Sequence, residues 1–473
     1  MRTRNLTAVL LAAGLIGFVT LQGQDRQAAD DAAKPGEGFT LKTAETIEFT
    51  TDEVTWMQVD VSPDGRTILF DLLGDLYTMP TSGGEASRIM GGLSFESQPT
   101  WSPDGRTMAF LTDRSGVENL WTADADGGNP RAVTKDGKTN DRPQIMASPA
   151  WTPDGQYIIV SKSRPPDPGT FGLFMYHRDG GTGVRVGPAP PAQPAPDAQG
   201  PPPAPPTNKM GAVVTPDGRF IYYTQRTGSF TYNARFPLWQ VYRHDRETGD
   251  VTQVTNAQGS AIRPAISPDG KWMVFGTRHK SQTGLRVRNL ETGAERWLAY
   301  PVTRDDQESR ASRDTLPRYD FMPDGKSLIV PVAGKLQRID FETGTATPIP
   351  FTAKVQAEIA PRVYTPVRVD DGPSVRARLI RWPSLSPDGT KLVFSAMNRL
   401  YLKDMPNGTA RLLTAPAAPA LPAGPAAPVE GEFMPSWSPD GRSIIYTTWT
   451  TTGGQIKRVA RSEEHTSELQ SPC

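Results

Sequence analysis

Residues 101–112 read WSPDGRTMAFLT, a proline-aspartate-glycine corner between two short apolar stretches. Proline presets φ at the first corner of a type I turn, aspartate bonds back to the local backbone, and glycine adopts the positive φ that completes the reversal. The residues after the corner are mainly aliphatic and aromatic, and such residues favour strands. This segment therefore predicts a β-hairpin.

The same corner occurs eight times, at intervals of 40 to 64 residues. An apolar residue usually stands two positions before the proline, and a short apolar run follows, such as TILF after the first corner and KLVF after the seventh. Repeats of this period are typical of propeller blades or solenoid units. The corners are Pro63, Asp64 and Gly65; Pro103, Asp104 and Gly105; Pro153, Asp154 and Gly155; Pro216, Asp217 and Gly218; Pro268, Asp269 and Gly270; Pro323, Asp324 and Gly325; Pro387, Asp388 and Gly389; Pro439, Asp440 and Gly441.

Two further strands follow each hairpin. After the second corner, for example, the chain reads NLWTAD, then DGG, then PRAVT after one more residue. Four antiparallel strands per repeat form a propeller blade, whereas no stretch after the N-terminal segment holds the 3.6-residue apolar period of a helix. We predict an all-β fold, a β-propeller of four-stranded antiparallel blades, with seven complete blades and an eighth that loses its fourth strand after Ala460. Over about residues 56–460 the repeat resembles the TolB-like, WD-type propeller repeat.

Ring closure is expected to use an additional strand. Residues 39–50, FTLKTAETIEFT, read as a strand that precedes the first blade. Propellers often close by letting such a strand complete the last blade, because this removes an exposed edge. The expected partner is the eighth blade or a blade beyond it. One ring of eight blades and a break into two rings both remain open.

The N-terminus predicts export. Arg2 and Arg4 precede an uncharged, mostly apolar run at residues 6–21, so residues 1–23 are predicted to be a signal peptide. No clean cleavage motif follows, and an uncleaved anchor is the alternative. Residues 24–37 are predicted to be a polar tether and residues 38–460 the propeller. We expect a periplasmic or secreted protein with no membrane span beyond the signal segment.

The last thirteen residues, 461–473, read RSEEHTSELQSPC and fit no part of the repeat. The stretch RSEEHTSELQS resembles the in-frame translation of a sequencing adapter. We therefore predict that residues 461–473 are a non-native tail and that the propeller is truncated there. A genuine polar tail is the alternative.

Composition excludes some classes of protein. Basic and acidic residues number 51 each, so no net charge draws the chain to nucleic acid or anionic lipid, and we expect no nucleic-acid partner. The single cysteine, Cys473, lies in the predicted tail, which excludes a disulfide framework.

Two loops carry the candidate interaction residues. Residues 303–313 either bind a charged ligand or adjoining domain, or form a self-neutralising surface loop. Residues 228–239 either line a ligand or partner site, or cap the core between blades. The charged side chains of the first loop are Arg304, Asp305, Asp306, Glu308, Arg310 and Arg313, and the aromatic side chains of the second are Phe230, Tyr232, Phe236 and Trp239.

Three insertions lengthen other connections. Residues 184–208 and 415–428 are rich in proline and alanine and predict extended loops. Residues 352–378 mix apolar and charged residues and are a candidate for an extra hairpin.

No catalytic, cofactor-binding or metal-binding residue is predicted in the chain. The three histidines before residue 461, His177, His244 and His279, form no H-x-H or H-E-x-x-H motif. No G-x-S-x-G nucleophile elbow occurs either. Any chemistry is therefore expected to belong to another part of a larger protein.

Three segments carry a second resemblance: residues 70–80, 276–301 and 303–314 are similar to the propeller that precedes a metal-dependent amidohydrolase domain in exported bacterial proteins. This resemblance implies a non-catalytic docking or substrate-gating module, with no cofactor of its own and a divalent metal in the missing domain. The implied partner is that C-terminal domain or another periplasmic protein. Two alternatives are a stand-alone TolB-like periplasmic scaffold and the propeller of a prolyl-oligopeptidase-type serine peptidase.

Overall fold

The computed structural model describes residues 42–139, 142–143, 145–164, 167–187, 207–228, 236–308, 314–362, 372, 375–414, 430–461 and 466–468. Every regular element in these residues is a β-strand, and most strands belong to four-stranded antiparallel sheets. The predicted all-β propeller class is thereby confirmed. The chain forms two compact units, residues 1–363 and residues 364–473.

The first unit contains six blades, each a meander in which the four strands follow one another in sequence order. Two short strands between blades 2 and 3 form a separate ribbon. The strands are β1 (Glu45–Thr51); β2 (Val59–Val61), β3 (Thr67–Leu72), β4 (Asp75–Pro80) and β5 (Gly84–Met90) in blade 1; β6 (Glu96–Trp101), β7 (Thr107–Thr112), β8 (Asn119–Asp124) and β9 (Arg131–Ala132) in blade 2; the ribbon β10 (Lys138–Thr139) and β11 (Arg142–Pro143); and β12 (Met146–Trp151), β13 (Tyr157–Arg164), β14 (Asp167–His177) and β15 (Gly180–Arg185) in blade 3. They continue with β16 (Thr207–Val214), β17 (Phe220–Thr227), β18 (Gln240–Asp245) and β19 (Val251–Gln253) in blade 4; β20 (Ile262–Ile266), β21 (Trp272–His279), β22 (Gln282–Asn289) and β23 (Glu295–Ala299) in blade 5; β24 (Asp320–Phe321), β25 (Ser327–Val332), β26 (Lys335–Asp340) and β27 (Ala346–Ile349) in blade 6; and finally β28 (Phe351–Ile359).

The core lies between neighbouring blades. Leu69 and Leu76 of blade 1 pack against Trp101, Met108 and Phe110 of blade 2, for example, and all five side chains are buried. The first strand of a blade is usually buried along its length and the fourth is largely exposed, as β6 and β19 illustrate. Burial of these apolar faces supplies the main stabilisation of the ring.

Blade 6 packs against blade 1 in the same way as blade 1 packs against blade 2. At the joint of blades 1 and 2, the N–H of Trp101 donates to Asp60 Oδ2 over 2.5 Å. At the joint of blades 6 and 1, the N–H of Val61 donates to Asp320 Oδ2 over 3.0 Å. Both aspartates stand three positions before the proline of their corner. The repetition of this bond shows that six blades close a ring.

The additional N-terminal strand does not complete the last blade. β1 pairs antiparallel with β28, which in turn pairs parallel with β5, so blade 1 becomes a six-stranded sheet. The prediction that residues 39–50 pair with the eighth blade or a later one is therefore wrong. Ring closure is the reason, because it brings the end of blade 6 to blade 1, where the N–H of Gly84 donates to the carbonyl of Pro350 over 2.9 Å. In residues 352–378, the candidate for an extra hairpin, the structure describes one strand, β28, and residues 363–371 and 373–374 lie outside the described residues.

The eight corner glycines all have φ between +65° and +74°, a region that glycine adopts without steric cost. A hydroxyl before the proline organises the corner. The Oγ of Ser62 donates to Asp64 Oδ1 over 2.6 Å and accepts the N–H of Thr67 over 2.9 Å. The hydrogen bond from Ser62 holds the pKa of Asp64 below its usual value. In six further corners the equivalent hydroxyl donates the same bond to the corner aspartate; the donors are Ser102, Thr152, Thr215, Ser267, Ser386 and Ser438.

The second unit contains two blades. Blade 8 has four strands, whereas three were expected. The short fourth strand forms because the segment after β35 pairs with the open edge of β35. Most of the two Pro/Ala-rich insertions, residues 188–206 and 415–429, lies outside the described residues. The strands are β29 (Arg381–Leu385), β30 (Lys391–Ala396), β31 (Arg399–Asp404) and β32 (Arg411–Leu412) in blade 7, and β33 (Gly431–Trp437), β34 (Ser443–Thr450), β35 (Gly453–Ala460) and β36 (Thr466–Glu468) in blade 8.

Candidate functional site

One end of the six-bladed ring holds a cavity of about 1370 Å³. Its walls come from the connections between strands 2 and 3 of a blade and between strand 4 and the next blade. The proline-aspartate-glycine corners join strands 1 and 2, so they lie at the opposite end of the ring. Among the described residues the cavity wall carries eight carboxylates and one basic side chain: Glu53, Asp71, Glu96, Asp113, Glu118, Asp305, Asp306, Glu308 and Arg304.

Glu96 is the most deeply buried carboxylate of this wall. Its Oε1 accepts hydrogen bonds from the Oγ of Ser94 over 2.5 Å, the Oγ1 of Thr112 over 3.0 Å and the Nη2 of Arg114 over 2.7 Å. Its Oε2 has no hydrogen-bond partner among the described residues. Arg114 balances the charge of Glu96, whereas Oε2 of Glu96 can still accept a hydrogen bond.

Asp71 lies in the cavity wall beside two glutamines. Its carboxylate accepts the N–H of Gln58 over 2.8 Å and the N–H of Gln98 over 2.9 Å. Loss of water around the carboxyl outweighs these bonds and raises the pKa of Asp71 to about 6. The Nε2 of Gln58 has no partner among the residues that the structure describes.

An NMR titration of the Asp71 carboxyl carbon is expected to show a midpoint near 6 instead of the ordinary 3.8. Because the folded pKa is raised, the contribution of Asp71 to stability is fully present below about pH 4 and is lost as the pH rises through about 6. The variant Asp71→Asn should lack this part of the pH dependence of the free energy of unfolding. A midpoint near 4 would show that the carboxyl remains fully hydrated.

The charged loop is anchored by an arginine that sequence analysis did not single out. Arg278 of β21 donates from Nε to Asp305 Oδ2 over 3.1 Å and from Nη2 to Glu308 Oε2 over 3.1 Å, and it forms further close bonds to both carboxylates. Burial by itself lowers the pKa of Arg278, but the bonds to Glu308 and Asp305 outweigh it and raise that pKa. The Oγ1 of Thr283 donates to Asp305 as well. Among the described residues, Asp305 and Glu308 are therefore both paired with one arginine of blade 5.

The remaining charges of the loop face different surroundings. Arg304 is exposed on the cavity wall, and no described residue forms an ion pair or hydrogen bond with its side chain. Asp306 also lines the cavity, and its N–H donates to the carbonyl of Thr315 over 2.9 Å. Arg310 and Arg313 lie outside the described residues.

The aromatic loop meets the charged loop around Arg278. Trp239 is fully buried between blades 4 and 5, and its Nε1 donates to the carbonyl of Gln307 over 3.2 Å. Phe236 is 44% exposed, and the guanidinium of Arg278 lies 5.0 Å from the centre of its ring. Trp239 is thus a core residue and Phe236 a surface residue. Phe230 and Tyr232 are outside the described residues.

A polar plug crosses the channel of the ring. The Oγ of Ser148 in blade 3 donates to Asp314 Oδ2 over 2.9 Å, and Arg263 Nη1 of blade 5 lies 2.8 Å from the same oxygen. Blades 3 and 5 are not neighbours in the ring, so these bonds must pass across the channel. We call Ser148, Arg263 and Asp314 the channel plug. Burial lowers the pKa of Arg263.

The sequence contained one signal for this plug. Ser148 and Arg263 each stand five positions before the proline of a corner, as Gln58 and Gln98 do. Ser148, Arg263 and Gln98 have positive φ, at bulges in the first strands of their blades. A bulge redirects a side chain away from the regular alternation, so polar residues at this position belong to the channel.

No group of three or more His, Cys, Asp or Glu side chains in the described ranges is arranged to hold a metal ion. The described part of the chain also has no helix that is long and apolar enough to cross a membrane.

Residues 41–173 match the family model of the TolB beta propeller domain. The blades that residues 41–173 form carry TolB-like propeller repeats. The match covers blades 1 and 2 and the inner strands of blade 3, which agrees with the repeat resemblance and the observed sheets.

Two curated relatives are named as peptidases. The chain is 29% identical over 202 residues to "Uncharacterized peptidase YuxL" of Bacillus subtilis, covering 42% of this chain and 24% of that protein. It is 24% identical over 448 residues to "Tricorn protease homolog 1" of Streptomyces coelicolor, covering 85% of this chain and 38% of that protein. The chain therefore spans well under half the length of either relative.

TolB from Acinetobacter baumannii aligns with a TM-score of 0.44 at 18% identity, covering 63% of this chain and 65% of that one.

Proposed function

We propose that the chain is the non-catalytic propeller part of an exported hydrolase of the peptidase type, and that its six-bladed ring docks peptide segments at the cavity. The observation that carries this proposal is the surplus of carboxylates in the cavity wall, where eight acidic side chains face one arginine among the described residues. The names of the two curated relatives support the peptidase class.

The charges that remain after internal pairing favour a cationic ligand. Arg114 pairs with Glu96, and the single positive charge of Arg278 is shared between Asp305 and Glu308, which leaves one negative charge in this group. The carboxylate of Asp113, in contrast, forms no ion pair with any described residue and accepts only the N–H of Phe95, over 2.8 Å. A low-dielectric concave wall of one sign concentrates ligands of the opposite sign.

The channel plug supports docking in preference to passage. The plug adjoins the cavity wall, because the N–H of Ser148 donates to Oε1 of Gln98 over 2.6 Å and Gln98 lines the cavity. Phe95, 51% exposed, and Leu73, 65% exposed, add apolar surface to the rim of the same cavity. A peptide with a lysine or arginine beside an apolar residue satisfies both features.

The test is the binding of fluorescein-labelled hexalysine to the full chain at low salt, measured by fluorescence anisotropy. Asp113→Asn keeps the acceptor for Phe95 but removes one negative charge, so we expect about fivefold weaker binding, equivalent to about 1 kcal/mol for one charge pair in hydrated surroundings. Asp126→Asn is the matched control. Asp126 also accepts a single backbone N–H, that of Gly128 over 2.9 Å, but in the β8–β9 turn at the other end of the ring.

Equal weakening by the two variants would mean that binding follows net charge and not the cavity. Equal binding of labelled hexaglutamate would also contradict the proposal, since a cavity rich in carboxylates repels it.

An amidohydrolase-type catalytic domain is the second candidate. The resemblance of residues 70–80, 276–301 and 303–314 to the propellers of that class supports it, and a divalent metal would then belong to the catalytic domain. A stand-alone scaffold for other periplasmic proteins is the third. Sequencing the gene beyond the codon for Ala460 separates the three: G-x-S-x-G supports the peptidase, H-x-H the amidohydrolase and an early stop codon the scaffold.

Export is part of the proposal and rests on residues 1–23. A fusion of this segment to a reporter that is active only outside the cytoplasm should be active, and substitution of Arg2 and Arg4 by glutamate should reduce that activity.

A further inference from the structure

The first unit contains a second pocket, with a volume of about 630 Å³. Its wall comes from β21, β22 and β23 of blade 5, from the connection between β19 and β20, and from Phe236. Arg278 lines this pocket, whereas its partners Asp305 and Glu308 line the cavity described above. Arg278 therefore lies between the two.

The charge of this pocket is opposite to that of the cavity. Arg288 Nη1 donates to Glu295 Oε1 over 2.7 Å, and Arg286 Nη1 lies 3.3 Å from Glu295 Oε2, so two guanidinium groups share one carboxylate. We call this site the basic pocket. Among the described residues its wall carries four basic side chains and one carboxylate: Arg278, Lys280, Arg286, Arg288 and Glu295.

Two cations of the basic pocket can still accommodate a negative charge. Arg286 Nε has no hydrogen-bond partner among the described residues. Lys280 is exposed in the turn between β21 and β22, and no residue that the structure describes forms an ion pair or hydrogen bond with its ammonium group. Because a guanidinium presents several donors in a fixed plane, Arg286 can pair with a ligand carboxylate in addition to Glu295.

Arg286 stands where the repeat usually places an aromatic ring. It pairs across β21 and β22 with Phe275, the seventh residue after the corner proline. An arginine in a position that other blades use for ring packing indicates a role other than packing. The equivalent residue is aromatic in five of the eight blades: Tyr77, Trp121, Phe174, Tyr242 and Tyr401.

Exposed aromatic rings accompany these charges. Trp297 lines the pocket and is 42% exposed, and the guanidinium of Arg286 lies 5.5 Å from the centre of its ring. The ring of Tyr300 lies 5.4 Å from that of Trp297, and its hydroxyl donates to the carbonyl of His279 over 2.8 Å, which fixes its position. Trp, Tyr and Arg are the residues that most often dominate binding at protein interfaces.

We propose that the basic pocket binds an acidic peptide segment in which an apolar side chain adjoins a glutamate or aspartate. The carboxylate pairs with Arg286 and Lys280, and the apolar side chain packs on Trp297. Charge complementarity selects this ligand, since the described wall has a surplus of positive charge. The site is separate from the cavity, whose surplus charge has the opposite sign.

The test is isothermal titration calorimetry of the full chain at low salt with a capped tetrapeptide of alternating phenylalanine and glutamate. A second peptide has glutamine in place of glutamate, and a third has alanine in place of phenylalanine. Loss of the carboxylates should weaken binding by about tenfold, because the charge pairing with the pocket is lost. Loss of the rings should weaken binding by about fivefold, because the contact with Trp297 is lost.

Arg286→Gln should weaken binding of the acidic peptide by about fivefold, because one positive charge beside the bound carboxylate is removed. Arg243→Gln is the matched control. Arg243 is also a half-buried arginine in the third strand of a blade, and its guanidinium lies 4.6 Å from the centre of the Phe220 ring, but it lines neither the basic pocket nor the cavity. Binding to this variant should stay close to that of the wild type.

Glu295→Gln should change binding in the opposite direction. It removes the one carboxylate of the described wall and leaves Arg286 and Arg288 to the ligand, so the affinity should rise by about fivefold. A gain of affinity cannot come from a misfolded variant. The proposal therefore remains testable if Arg286→Gln lowers stability.

Two measurements distinguish this proposal from peptide docking at the cavity. Asp113→Asn should leave the affinity for the acidic peptide unchanged, and Arg286→Gln should leave the affinity for hexalysine unchanged. Any binding of hexaglutamate that Arg286→Gln weakens belongs to the basic pocket and not to the cavity.

A chain that does not bind the acidic peptide would overturn the proposal, as would equal binding of the glutamine peptide. Equal weakening by Arg286→Gln and Arg243→Gln would overturn it as well, since binding would then follow net charge.

Discussion

Replacing Arg278 with alanine is expected to lower the free energy of unfolding by about 3 to 5 kcal/mol, the usual cost of removing one partner of a buried ion pair. The side chain of Asp305 is completely buried, and its negative charge is compensated by Arg278. Without the guanidinium, this carboxylate must either stay charged in a place that water does not reach or take up a proton. Urea unfolding monitored by tryptophan fluorescence measures the effect.

Lys354→Ala is the control for this prediction. Lys354 pairs with Glu85 over 2.7 Å, but both side chains are more than half exposed, so its removal should cost less than about 1 kcal/mol. Adding Asp305→Asn to the Arg278→Ala variant should restore part of the lost stability, because it removes the unpaired charge. A loss of unfolding free energy in Arg278→Ala that is no larger than in Lys354→Ala would contradict the buried position of the Asp305 carboxylate.

Gly259→Ala is expected to destabilise the first unit by about 3 kcal/mol or more, at the upper end of the range for overpacking. A Cβ at this position would lie 1.6 Å from the carbonyl oxygen of Arg278, and backbone atoms cannot move aside as a flexible side chain can. The carbonyl of Gly259 also accepts the N–H of Arg278 over 3.0 Å, so the two segments are held together at this point. Differential scanning calorimetry should show a lower unfolding temperature.

The matched control is Gly137→Ala. Neither glycine has a positive φ, and a Cβ on Gly137 meets nothing within 4 Å. This substitution should leave the unfolding temperature unchanged or raise it slightly, since alanine reduces the entropy of the unfolded chain. An equal loss in both variants would contradict the close approach of residue 259 to β21.

Part of the candidate site was accessible from sequence. The run TRDDQESRASR predicted a charged connection, and four of its six charged residues lie in the described loop beside the cavity. Arg278, however, precedes Asp305 by 27 residues and stands in a strand whose sequence signals only β structure. Trp239 and Phe236 are three residues apart but differ completely in burial. Such pairings depend on which blades become neighbours, and local sequence patterns contain no information about neighbours in space.

The sequence by itself determined the blade. Each proline-aspartate-glycine corner and the strands around it are local, because turn chemistry and alternation act over a few residues, and the predicted hairpins appear in the structure as β2–β3, β6–β7 and their repeats. Only the tertiary structure decided how many blades close the first ring and where β1 pairs. Closure depends on the fit between the faces of blades 6 and 1, which are far apart in sequence. The bond from Val61 to Asp320, for example, joins residues about 260 positions apart. Such a fit exists only in the assembled core.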